Sequence, residues 1–208
     1  MVTDGPVRKA RLRERLLAAR HAVPERVRDA EAAALRDHLD AVVTSGATVC
    51  AYVPVGGEPG SIEMLDRLRD RGVRVLLPVV DDGAPGTAPQ PLMWGEYRAG
   101  ELVPARFGLL EPARPWLPPS ALAEADLVLV PALAVDRRGV RLGRGAGFYD
   151  RSLPLGGPGA RLVAVVRDAE LVDELPAEPH DLPVTHALTP QRGLIELCPA
   201  GGGMPSAD

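Results

Sequence analysis

The chain has 208 residues, 46% of them apolar and 25% charged, which fits one globular domain with a substantial core and excludes a wholly disordered chain. A net charge of −4 argues against a general nucleic-acid or anionic-membrane surface, so neither partner is expected. Positive charge is almost all guanidinium, because Lys9 is the only lysine.

Residues 6–21 read as a helix with Leu12, Leu16 and Ala19 on one face and Lys9 and Arg13 four apart on a neighbouring face, capped by Thr3 or Asp4. A second helix begins at Pro24 and runs to about Val43. Residues 49–53 form a short β-rich run that ends in Pro54 and a Gly56-Gly57 turn. Ser61 then caps a helix of Ile62, Leu65 and Leu68 that stops at Gly72. A strand follows over 73–80, a Gly/Pro-rich loop over 81–91, a strand over 92–97 and an irregular stretch over 103–119. The run from Asp126 to Pro131 is the clearest buried strand, being continuously apolar between an acid and a proline. After a glycine-rich loop come a helix from Phe148 or Tyr149 and strands at 162–166 and 184–188. This alternation predicts an α/β layered fold, a mostly parallel sheet flanked by helices, in a single domain over 1–198 with a disordered tail at 199–208. Cys50 and Cys198 lie too far apart in sequence for a metal motif and suggest no disulfide framework. The charged N-terminus lacks a signal-peptide core and no apolar run is long enough to span a membrane, so a cytoplasmic setting is expected.

The segment from Val135 to Arg151 carries the strongest chemical signal. It follows the buried strand, at the carboxyl end where open α/β sheets bind ligands. Gly143, Gly145 and Gly147 alternate, which lets backbone amides approach a phosphate, and Arg141 and Arg144 add charge to the same cradle. A helix starting just beyond would aim its positive end at the anion. The competing reading is a loop that merely turns the chain with its arginines in solvent. No Gly-Lys-Ser/Thr follows, so this is not a Walker loop, and it lacks a dinucleotide fingerprint. Phe148 and Tyr149 in the loop, and Trp94 and Tyr97 elsewhere, either face a flat ring ligand or fill gaps beneath loops; Trp116 reads as packing. Asp150 and Asp181 are the best carboxylates for a hard cation such as Mg²⁺. His180 beside Asp181 makes a poor catalytic dyad, and no nucleophile motif is present.

Five ordered segments resemble the 5-formyltetrahydrofolate cyclo-ligase (methenyltetrahydrofolate synthetase) family: Lys9-Ala10-Arg11-Leu12-Arg13, Tyr52-Val53-Pro54-Val55-Gly56-Gly57-Glu58, Phe107-Gly108-Leu109-Leu110-Glu111-Pro112, the run from Leu129 to Arg151, and Glu178-Pro179-His180-Asp181-Leu182-Pro183. The resemblance implies ATP- and Mg²⁺-dependent cyclisation of 5-formyltetrahydrofolate to 5,10-methenyltetrahydrofolate, with ADP and phosphate released and a monomer expected. It implies ATP contacts from Lys9, Ala10, Arg11, Leu12 and Arg13 and from Arg141, Leu142, Gly143, Arg144, Gly145, Ala146, Gly147, Phe148 and Tyr149. Folate contacts would come from Val53, Glu58, Arg144, Gly145, Ala146, Gly147 and Phe148, the magnesium ligands would be Asp150 and Asp181, and Lys9, Arg13 and Arg144 would carry catalysis. The family scheme has the formyl oxygen attack the γ-phosphate before a second folate nitrogen closes the ring. Alignment and charge neutralisation dominate such a transfer, so the lack of a nucleophile fits. Two readings of other classes compete: a sugar-phosphate isomerase or CoA-transferase-like enzyme on a related sheet, and a non-catalytic folate- or nucleotide-binding module.

Overall fold

A computed structural model describes residues 5–80, 90–178 and 181–198. Helix α1 (Gly5–His21) and helix α2 (Glu25–Val42) precede strand β1 (Thr48–Cys50), helix α3 (Ile62–Asp70) and strand β2 (Arg74–Val79). Strand β3 (Met93–Glu96) is followed by the paired strands β4 (Leu102–Pro104) and β5 (Leu110–Pro112). Strands β6 (Leu127–Pro131), β7 (Ala134–Asp136) and β8 (Arg141–Leu142) lead into helix α4 (Phe148–Ser152). The chain ends through β9 (Arg161–Val165), β10 (Leu171–Val172), β11 (His186–Thr189) and β12 (Gly193–Glu196).

The main sheet runs β12-β11-β9-β6-β1-β2-β3. Its five central strands are parallel and its two edges antiparallel, which bears out the predicted layered α/β fold. Central strands are buried on both faces, so their runs are continuously apolar rather than alternating. Val49, Val75, Leu77, Leu127, Leu129, Val163 and Val165 share one core with Leu35 and Leu39 of α2 and with Met64, Leu65 and Leu68 of α3. Cys50, Leu76, Val128, Val130 and Ala164 point the other way, into a second core with Trp94, Leu122, Leu153 and the partly buried Phe148 and Tyr149. That second face is covered by α4 and by 3-10 turns at Pro119–Glu124 and Leu153–Leu155.

Several local expectations change. The stretch expected to be irregular holds the β4–β5 hairpin, whose Val103 and Leu110 are exposed, so apolar alternation does not mark it. Strand β12, beyond the last predicted strand, closes the sheet edge antiparallel to β11. Ser61 precedes α3 but makes no side-chain cap bond. In α1, Leu12 and Leu16 are half-buried, whereas Ala19 is exposed and the buried positions are Lys9 and Arg20. The face that α1 turns inward is therefore partly cationic. The capping expectation for Thr3 and Asp4, most of the 81–91 loop and the tail from 199 lie outside the described residues. Among the described residues, no helix is long and apolar enough to cross a membrane.

Candidate active site

In the strand order, β2 lies on one side of β1 and β6 on the other. The chain after β1 and the chain after β6 thus diverge at a topological switch point, the crevice where open α/β sheets hold ligands. Both motif-rich segments emerge there.

The first is residues 52–58. Tyr52 Oη donates to Pro59 O at 2.7 Å, and the Glu58 carboxylate accepts from Val55 N–H at 3.1 Å, closing the turn through Gly56 and Gly57. Gly57 has φ of +80° and lies so near α1 that a Cβ would sit 3.4 Å from Arg20 O. The Glu58 side chain is only 9% exposed. Burial raises its pKa above the usual carboxylate value, opposed by the Val55 N–H and by the Arg144 and Arg20 charges.

The second segment begins with the β7–β8 hairpin, which belongs to a small sheet ordered β10-β7-β8. Fully buried Asp136 organises it, accepting from Arg138 N–H at 2.9 Å, Val140 N–H at 3.0 Å and Leu175 N–H at 3.0 Å. Past β8, Gly145 and Gly147 take left-handed φ values of +103° and +69°, while a Cβ on Gly143 would meet nothing within 4 Å. Among the described residues, no backbone or side-chain oxygen accepts from the amides of residues 143–147. Arg151 Nη2 holds the loop from behind by donating to Ala146 O at 3.0 Å. The following helix, α4, has only five residues, so the expected helix dipole is small; anion attraction here falls to the loop amides and the arginines.

Arg144 joins the two segments. Its Nη2 donates to Val55 O at 3.0 Å and its Nε lies 3.2 Å from Glu58 Oε1. Helix α1 supplies a third side. Leu12 and Leu16 pack against Ala134, Leu142 and Leu175, and Arg13 Nε donates to Gly143 O at 2.9 Å. Lys9, 7% exposed, reaches Asp181 Oδ2 at 3.1 Å and Glu178 Oε2 at 3.1 Å. Asp181 also accepts from Glu178 N–H at 2.8 Å. Asp150 pairs with the buried Arg141 guanidinium, whose charge is opposed by burial and favoured by Asp150 and then Asp181. A buried donor remains at the site: Tyr149 Oη has no hydrogen-bond partner, and burial, then the Glu58 charge, pushes its pKa far up.

The model of the 5-formyltetrahydrofolate cyclo-ligase family matches residues 6–190. The chain belongs to that family. It is 60% identical over 193 residues to the 5-formyltetrahydrofolate cyclo-ligase of Mycolicibacterium smegmatis, covering 93% of this chain and 99% of the relative. The Escherichia coli K12 cyclo-ligase is 34% identical over 149 residues, 70% of this chain and 79% of that protein. The solved structure of Aquifex aeolicus 5,10-methenyltetrahydrofolate synthetase superposes with a TM-score of 0.76 at 23% identity, over 95% of this chain and 96% of that one, and so shares the fold. Family membership selects the cyclo-ligase reading over the isomerase, transferase and binding-module alternatives.

Of the positions expected in the cyclo-ligase site, Lys9, Arg13, Glu58, Arg141, Gly143, Arg144, Asp150 and Asp181 are linked through the contacts above. Gly145 and Ala146 are exposed and Gly147 half-buried in the loop between them, and Phe148 and Tyr149 sit partly in the second core. Leu12 and Leu142 point into a small apolar cluster that fastens α1 to β8, whereas Ala10 and Arg11 are exposed. The Val53 side chain is in the first core. Trp94 and Tyr97 take the packing alternative. Trp94 is buried in the second core, and Tyr97 is buried with its hydroxyl donating to Asp66 at 2.9 Å. Trp116 packs as expected, with Nε1 donating to Pro112 O at 3.0 Å. His180 lies outside the described residues.

Sequence reading singled out the segment holding Asp136 and Arg151 without giving either a site role, and missed a buried group of Arg20, Arg167 and Glu170. For Arg20 a signal existed: positions 9, 13, 16 and 20 repeat at helical spacing, so Arg20 shares the face of Lys9 and Arg13.

Proposed function

We propose that this protein is the ATP-dependent cyclo-ligase that converts 5-formyltetrahydrofolate to 5,10-methenyltetrahydrofolate, releasing ADP and phosphate. The observation that carries the reading at the level of the site is Arg144, which ties the glycine loop to Glu58 and so sets a phosphate-type cradle beside a buried carboxylate. In this reading the triphosphate lies along residues 143–147, where unclaimed amides and the Lys9, Arg13, Arg141 and Arg144 charges converge. The folate lies toward residues 53–58, with the Glu58 carboxylate accepting from N–H groups of the pterin. The formyl oxygen then meets the γ-phosphate between the two segments. The chain's work is alignment and neutralisation of phosphate charge, which requires no protein nucleophile.

Two hard-oxygen donors, Asp150 and Asp181, face the same Arg141 charge, and magnesium accompanying nucleotide phosphates commonly uses one or two carboxylates with water. The donor set fits Mg²⁺, which Asp150 and Asp181 would hold together with the phosphates and which would supply further neutralisation of phosphate charge. Among the described residues no group of three or more metal-type side chains gathers.

The direct experiment follows near-ultraviolet absorbance of methenyltetrahydrofolate while ATP, Mg²⁺ or 5-formyltetrahydrofolate is left out in turn. Product is expected only with all three present; absence of product with all three overturns the assignment. For the metal, Asp150→Asn should keep its melting temperature within a few degrees but shift the magnesium titration of turnover to higher concentration, because an amide is a weaker ligand for a hard cation. A titration curve matching the parent would make Asp150 only the partner of Arg141. For the triphosphate, Lys9→Ala should raise the KM for ATP by about tenfold, the loss of one charge-assisted contact. Lys9→Arg should recover part of that loss, since a planar fork restores charge with different geometry. ATP titration at saturating folate decides, and a parent-like KM in Lys9→Ala would remove Lys9 from the triphosphate site.

A further inference from the structure

We propose that Arg167 is a positioning residue for the folate-facing segment 54–58, acting through the Gly57 carbonyl, and that Glu170 and Arg20 hold Arg167 in place for that task. What the segment binds rests on the cyclo-ligase reading above.

Arg167 lies just past the carboxyl end of β9, next to β6 in the sheet. Its Nη1 donates to Gly57 O at 3.0 Å, its Nε donates to Glu31 of α2 at 2.7 Å, and its backbone N–H donates to Glu170 Oε2 at 2.8 Å. Glu170 takes two further bonds, from Arg20 Nε at 2.8 Å and Arg20 Nη2 at 2.7 Å. Arg20 Nη2 also donates to Ala132 O at 2.6 Å. Arg20, Glu170 and Arg167 are 1%, 6% and 8% exposed.

Burying such charges roughly offsets their attraction, and apolar side chains of similar volume would hold the layers together as well. What the ions add is direction. The Arg20 guanidinium is fixed by Glu170, and Arg167 is held at its backbone N–H by Glu170 and at Nε by Glu31. Each guanidinium thereby keeps an N–H aimed at one carbonyl outside the sheet ladder, Ala132 O after β6 for Arg20 and Gly57 O after β1 for Arg167. Those carbonyls flank the switch point from which both ligand segments leave. Arginine suits this because its planar fork serves two acceptors in a fixed relation, which a single ammonium does not.

The Gly57 carbonyl is a sensitive place to pull. Gly57 lies beside the Arg20 backbone with a left-handed φ of +80°, and the next residue is Glu58, whose carboxylate is bound within the same turn to Val55 N–H. Releasing the carbonyl frees the turn to rotate and takes Glu58 out of register with Arg144. The N-terminal helix enters the same arrangement, since Arg20 ends the face on which Lys9 and Arg13 begin it.

The test compares Arg167→Met and Arg167→Lys with Glu31→Gln, which weakens the Nε pair but leaves the Nη1 donor to Gly57. Arg167→Met is expected to raise the KM for 5-formyltetrahydrofolate about tenfold, the loss of one charged donor, while the KM for ATP stays within about twofold. Arg167→Lys should show a smaller rise of the same selectivity, because one nitrogen cannot serve Glu31 and Gly57 in the fork geometry. In the ligand-free protein, amides of residues 55–58 should exchange with deuterium faster in both variants. Glu31→Gln should lower the melting temperature without moving the folate KM or that exchange. The proposal is overturned if a folded Arg167→Met, or Arg167→Lys should Met not fold, has parent-like folate KM and exchange. It is equally overturned if the KM rise appears in Glu31→Gln in proportion to lost stability. Exchange is read without substrate, so a parent protein that makes no methenyltetrahydrofolate would overturn the cyclo-ligase reading and leave the positioning of Gly57 still decided by its own result.

Discussion

Gly145→Val is expected to reduce turnover about a hundredfold or more, the scale on which a misplacement of about 1 Å in a reacting group acts. Gly145 has φ of +103°, a conformation that L side chains rarely adopt and that a β-branched residue opposes most strongly. The nearest atoms to its absent Cβ are those of the Arg13 guanidinium, at 3.7 Å, so valine both re-routes the loop and crowds a proposed phosphate ligand. Because the residue is exposed and packs in no core, the melting temperature should move by no more than a few degrees. Turnover and ATP titration of the folded variant are the measurement. Parent-like ATP affinity would remove this loop from the triphosphate site.

Gly139→Ala should instead damage the fold. Gly139 ends the turn between β7 and β8 with φ of +82°, and a Cβ there would stand 2.2 Å from Val184 O, far inside contact distance. That carbonyl belongs to backbone rather than to a movable side chain, and Val184 N–H also donates to Gly139 O at 2.9 Å. The two backbones touch, so accommodating a methyl group means separating them and straining a left-handed residue. The expected cost is about 3–5 kcal/mol, the range of the severest single substitutions, or a fall of roughly 10–15 °C in Tm for a chain of this size. Thermal and urea unfolding would measure it. A Tm within about 3 °C of the parent would show that the contact relaxes at little cost.

Much of this molecule was legible in one dimension, and the parts that were not share a cause. Strands β1, β2, β6 and β9 were readable because double burial makes them unbroken apolar runs between turn residues. The Gly143–Gly145–Gly147 alternation was readable as a pattern, with Gly145 and Gly147 in backbone that favours glycine, and its place after β6 followed from chain order. The β4–β5 hairpin was not, since it is held by backbone pairing with Val103 and Leu110 left exposed. For Trp94 and Tyr97 the sequence leaves a ligand face and packing both open, because flanking loops fit both, and in the structure both rings are buried.

By itself the sequence determined the layered α/β class and the glycine loop, because each is a local pattern set by burial periodicity or by backbone freedom, and its ordered motifs carried the resemblance to the family. Tertiary structure decided which charges meet. Lys9 with Asp181, Arg20 with Glu170, Arg144 with Glu58 and Arg167 with Gly57 join positions 172, 150, 86 and 110 residues apart. An arginine reads the same in sequence whether it faces water or a buried carboxylate, since nothing in its neighbours records the partner that folding brings to it. The strand order, which places β1, β6 and β9 side by side, and the packing of α1 against β7 and β8 bring those partners together.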